Sequence, residues 1–138
     1  MTNTTRTLIT HTEQDDLNNL FIHACSSRTA PIIEASLKAG ANVNVKDRLG
    51  WSMLTTFVWW EASELLELLL KYGADVNILT RGHRSPLFFA VKTRNFRITE
   101  RLLQAGAKVD LQQIESVLPF DEGQRHRFMH LLLPYVVS

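Results

Sequence analysis

His126 and His130 stand four residues apart, a spacing that puts two imidazoles on one face of a helix. Such a pair could begin a zinc site, but zinc takes three or four ligands and two imidazoles alone leave the site incomplete. Solvated or cap-packing histidines are the expected outcome. Cys25 is the single thiol of the chain. A nucleophilic role would need a neighbouring base. His23 is close in sequence but points to a different side of a helix, so a small buried thiol is expected. A third candidate is the basic run Arg81, Arg84, Lys92, Arg94, Arg97 and Arg101, set against Glu100 alone between Thr80 and Gly106. That charge could meet phosphates. However, Arg94, Arg97 and Arg101 oppose Ile98, Leu102 and Leu103 on a helix, which makes them a solvated outer face. No aromatic interleaving or reading module accompanies them, so nucleic acid is not the expected partner. No Gly-rich phosphate loop, Gly-x-Ser-x-Gly elbow or His-Glu-x-x-His zinc helix is present. An enzyme, a cofactor, a metal or a small-molecule substrate is therefore not expected.

The elements that position these residues follow from a phrase the chain repeats three times. It reads Ala39-Gly40-Ala41-Asn42-Val43-Asn44, then Tyr72-Gly73-Ala74-Asp75-Val76-Asn77, then Ala105-Gly106-Ala107-Lys108-Val109-Asp110. The glycines at 40, 73 and 106 give a period of 33 residues. A fixed period of that length marks stacked supersecondary units. Before each glycine, Ile32 to Leu37, Leu65 to Leu70 and Ile98 to Leu103 carry apolar residues at three- and four-residue steps, the pattern of a helix face. The glycine then stops the helix, since it enters the left-handed conformation without steric cost. A shorter helix lies upstream in each copy. Ser85 can cap the third, with Pro86 at its first position. Gly50-Trp51-Ser52-Met53-Leu54 and Leu17-Asn18-Asn19-Leu20-Phe21 fall in the same frame.

These residues resemble the ankyrin repeat. Residues 47 to 77 match that unit at Asp47, Gly50, Ser52, Leu54, Leu65, Leu66, Leu68, Leu69 and Gly73 through Asn77. Residues 80 to 110 match at Ser85, Pro86, Leu87, Ala90, Ile98, Leu102, Leu103, Gly106, Ala107, Val109 and Asp110, and residues 14 to 44 match more loosely. The resemblance implies an all-α solenoid of helix-turn-helix units with short hairpin turns. Repeats are expected at about 14–46, 47–79 and 80–112, after a flexible segment 1–12 and before a degenerate cap 113–138. In the cap, Pro119 falls 33 after Pro86 and Leu131-Leu132-Leu133 takes the place of a second helix, ended by Pro134. The apolar tail Tyr135-Val136-Val137 either packs on the cap or makes a homodimer contact. Three departures stand out. Phe57-Val58 replaces a pair of alanines, which calls for wider spacing or a local twist. Thr55 and Phe88 replace a histidine, so its usual hydrogen bond is expected to be lost. Glu61-Ala62 and Arg94-Asn95 replace the inter-helix Gly-His turn.

The 138 residues are 45% hydrophobic and 21% charged with a formal net charge of +1, which favours neither a polyanion nor a membrane surface. One cysteine cannot form an internal disulfide, so a cytoplasmic setting is expected, which includes a host cytosol for a delivered protein. In ankyrin stacks the partner usually lies against the hairpin tips and first helices. The resemblance therefore points to another protein as partner. Its contacts would be Arg48, Leu49, Trp51, Trp59, Trp60, Arg81, Arg84, Phe88 and Lys92. Tryptophan suits such a surface because it buries much area with few rotors. The alternative is that Trp59 or Trp60 turns inward beside Phe57 and Val58. The expected function is a stand-alone inhibitor, immunity-type or targeting factor. The runner-up is a regulatory subunit that self-associates through its C-terminal end.

Overall fold

A computed structural model describes residues 11–136. Residues 1–10 of the expected flexible segment, and Val137 of the apolar tail, lie outside the described residues. Among these residues eight helices follow one another: α1 His11–Ser26, α2 Ala30–Lys38, α3 Met53–Trp59, α4 Ser63–Lys71, α5 Pro86–Lys92, α6 Phe96–Gln104, α7 Leu111–Glu115 and α8 Glu122–Leu132. A 3₁₀ turn, Leu133–Tyr135, follows. Among the described residues there is no strand; one antiparallel bridge, Lys46 to Ser52, closes the second unit's hairpin. Within the first three units α1 packs on α2, α3 on α4 and α5 on α6. Between units α3 packs on α5 and α5 on α7 as an inner row, while α2 packs on α4 and α6 on α8 as an outer row. One apolar seam runs between the two rows, through Phe21, Ile33, Phe57, Leu69, Leu87 and Leu102.

Each second helix ends the same way. Gly40, Gly73 and Gly106 have φ of 110°, 82° and 99°. The next residue donates its N–H five residues back, Ala41 to Ser36 at 3.0 Å, Ala74 to Leu69 at 3.0 Å and Ala107 to Leu102 at 2.9 Å. This satisfies carbonyls that the helix end leaves free. The first helices use the same closure without glycine. Thr29, Ala62 and Asn95 donate to Ala24, Phe57 and Ala90 at 3.0, 2.9 and 3.0 Å. The residue before each, Arg28, Glu61 or Arg94, sits at φ of 55°, 57° or 58°. The turn thus keeps the left-handed geometry after its glycine is gone. A Cβ in that region costs on the order of 1–2 kcal/mol, partly offset by glycine's larger entropy loss on folding. Arg94 is exposed, so Arg94→Gly should stabilise the protein by about 0.5 kcal/mol. A lower midpoint in a urea melt would show that the turn is not strained.

The hairpin turns are stitched together by asparagine. Asn18, Asn44 and Asn77 accept from the backbone N–H of Asn42, Asp75 and Lys108, each at 2.8 Å. Asn77 also donates to the Gly106 carbonyl at 3.2 Å. The bonds of Asn44 and Asn77 fix how one turn sits on the next, while Asn18, on α1, ties the first turn to its own unit.

Several expectations need correction. Thr55 does not lose the hydrogen bond of the residue it replaces: its hydroxyl lies 3.0 Å from that of Ser52, fully buried. Helix α1 includes His11 and Thr12, which the sequence puts in the flexible segment. Pro119 does not open a helix. The inner helix of the cap is α7, capped by Asp110 through the N–H groups of Gln112 and Gln113. The last residue of the third repeated phrase therefore starts the cap directly, with no hairpin between, and Pro119 lies in the bend before α8. Phe57 occupies the position held by Ala24 and Ala90 in the units on either side, and all three are buried. In keeping with the wider spacing expected there, α3 packs directly on α5, whereas the first and second units meet mainly through α2 and α4.

Candidate protein-interaction surface

The inner row and the hairpins meet on one side of the stack. Trp51 leaves the second hairpin, whose turn is held by Asp47: its carboxylate accepts from the N–H groups of Leu49 at 2.9 Å and Trp51 at 3.0 Å. Trp59 ends α3, and Phe89 projects from α5 of the next unit. Their rings form one cluster, with centroids of Trp51 and Phe89 at 4.6 Å, Trp59 and Phe89 at 5.9 Å, and Trp51 and Trp59 at 6.2 Å. Edge-to-face geometry holds Trp59 against both others. Phe89 is the buried floor, and Trp59 stays 44% exposed.

The cluster continues into Phe88, whose ring lies 5.2 Å from that of Phe89. Phe88 is only 5% exposed. Arg84 covers it at 4.6 Å and Lys92 approaches at 5.8 Å. Of the aromatic contact candidates, Trp51 and Trp59 therefore stand together with open ring surface, while Phe88 is roofed by two of the other candidates. Trp60 is separate. It stacks under Arg28 at 4.5 Å and lies 6.0 Å from Phe57, on the side toward the first unit. Leu49 is 73% exposed at the second hairpin tip, beside exposed Arg48. Arg81 packs its side chain across Gly50, where a Cβ would lie 2.5 Å from the Arg81 Cγ. Phe89 is absent from the sequence-based candidates. Helical spacing could have found it, since it stands three residues before Lys92 and so shares its face.

The other sequence candidates fall elsewhere. His126 and His130 stack with ring centroids 6.4 Å apart on exposed α8. Among the described residues no group of three potential ligands gathers there or anywhere else. Cys25 is buried, and burial pushes its thiol up to about 12. Its thiolate fraction near neutral pH is then about a thousandfold below that of a free thiol. An aromatic disulfide reagent should label Cys25 at least about a thousandfold slower in the native protein than in urea. Comparable rates would contradict the burial. On the outer face, Glu67 pairs with the Arg101 Nε at 2.7 Å, which neutralises part of the basic run. Glu34, at the same position one unit earlier, accepts from the Tyr72 hydroxyl at 3.1 Å. That bond, with Lys71 and Lys38 nearby, holds its carboxyl below the usual range against the opposing effect of burial. Burial and the bond to Glu34 raise the Tyr72 phenol.

Residues 2–113 match the family model described as Ankyrin repeats (3 copies). The chain belongs to the ankyrin-repeat family. No curated protein gives a significant match to it. Ankyrin repeats are generally protein–protein interaction modules and typically non-catalytic, and the stacked helical pairs described above are the fold such modules share. Among the described residues no helix is long and apolar enough to cross a membrane.

Proposed function

We propose that this ankyrin stack binds one specific protein through the side formed by its hairpins and inner helices, and that it acts as an inhibitor, immunity-type or targeting factor by masking a surface of that partner. The observation that carries this reading is the Trp51–Trp59–Phe89 cluster. It joins two units, is held by ring-to-ring contact and leaves indole surface open to solvent. Rigid aromatic area of this kind anchors interfaces because little side-chain entropy remains to be lost. The test is an affinity capture from the native host with wild type beside a Trp51→Ala, Trp59→Ala variant whose melting confirms that it is folded. A protein retained by the first and lost by the second supports the reading. Retention by both moves the site to the outer face or the cap.

A second reading, a regulatory subunit that self-associates through the cap, draws on the apolar groups there. Phe120 is 98% exposed, Leu133 and Tyr135 are exposed, and a groove of about 570 Å³ lies between Phe96, His130 and Tyr135. Solution mass separates the two: a monomer at micromolar concentration rules out the second.

A further inference from the structure

The aromatic strip has a charged end, and its charge says what kind of partner fits. Arg84 and Lys92 converge on the ring of Phe88 from two different elements, the third hairpin and the end of α5. Both are exposed, and neither is paired with a carboxylate among the described residues. The negative face of one ring attracts both cations, yet no carboxylate answers either. A partner's carboxylates would supply that missing counter-charge. The matching positions of the repeat show the same polarity along the stack: Asp15, on α1 in the first unit, gives way to Arg48 and Arg81 in the hairpins of the second and third. Three acids of the second and third units, Glu64, Glu67 and Glu100, line the outer groove, where Glu67 holds Arg101. A chain with a net charge of +1 thus turns a cationic end toward its aromatic surface.

Resting on the binding reading above, we propose that Arg84 and Lys92 over Phe88 form a subsite for clustered carboxylates of the partner protein. The partner's segment would place a bulky apolar side chain on Trp51 and Trp59 and run its Asp or Glu residues toward the third unit. Opposite charge patterns fix register and raise the encounter rate, so the subsite sets direction as well as partner class. A single nucleic-acid strand could also stack on indoles. It would need a continuous cationic groove along its backbone, and the first unit carries Asp15 where the second and third carry Arg48 and Arg81.

The experiment is a random-peptide display selection on the full chain, run in parallel on an Arg84→Glu, Lys92→Glu variant and on the Trp51→Ala, Trp59→Ala variant. Wild type should enrich peptides with Asp or Glu clustered to one side of an aromatic or Leu residue. The charge-reversed protein should bind those peptides about tenfold more weakly, equivalent to about 1.4 kcal/mol. Enrichment of neutral or basic peptides that still need Trp51 and Trp59 overturns the carboxylate subsite and leaves the binding surface standing. Peptides indifferent to the tryptophan variant overturn the surface itself. Absence of any enrichment, or tighter binding of a labelled oligo-dT strand than of any selected peptide, also overturns the proposal.

Discussion

Phe57→Ala should destabilise the protein by about 3–5 kcal/mol, the loss typical of emptying a buried aromatic site. The sequence alone suggests the reverse. Alanine holds the equivalent position in both neighbouring units, Ala24 and Ala90, so the substitution would make the repeats more alike. The structure shows why likeness is the wrong guide. Phe57 is fully buried, and its ring meets the Trp60 ring at 6.0 Å. Ala24 and Ala90, at the equivalent positions of the neighbouring units, are too small to replace the lost volume. The cavity would open in α3, the helix through which the central repeat packs on the third unit. Because stack stability is a sum of unit and interface contributions, a loss there uncouples the array. A denaturant melt measures it directly. A midpoint equal to wild type would mean that the inner row closes up after truncation, and that Phe57 is a passenger rather than a spacer.

Gly73→Val should cost about 2 kcal/mol, with a fall in Tm on the order of 10 °C. Gly73 has φ +82°, and a Cβ built there meets nothing within 4 Å. The penalty is therefore one of backbone conformation, and it is greatest for a β-branched residue. Asn tolerates the left-handed region, so Gly73→Asn should recover most of the loss. If Val and Asn melt together, the closure in which Ala74 donates to Leu69 is not what holds this helix end. Gly50 makes a useful contrast. Its φ is also positive at 84°, but a side chain there would collide with Arg81 as well. The same residue type carries two different penalties, and only the packing tells them apart.

The interaction surface was legible in part. The period placed Trp51 and Trp59 on the side that ankyrin stacks present, and the structure brings their rings together. It could not separate Trp60, because two consecutive residues at the end of a short helix diverge by an amount that depends on where that helix stops. It passed over Phe89, since Phe88 and Phe89 read alike until the helix phase is fixed. The cap misled for a related reason. Pro119 keeps the 33-residue spacing from Pro86, yet α7 begins at Leu111, because Asp110 can cap a helix as readily as it can end a turn.

The sequence by itself determined the unit, its period, the glycine-closed helix ends and hence the stack, because these are set by local backbone chemistry repeated in register. Tertiary structure alone decided which rings share a face, which arginine is paired with a carboxylate and which is not, and how a phenylalanine fits among alanines. Those outcomes depend on distances between side chains more than 30 residues apart in the chain, such as Trp59 and Phe89 or Glu67 and Arg101. Only the packing of one unit on the next sets those distances.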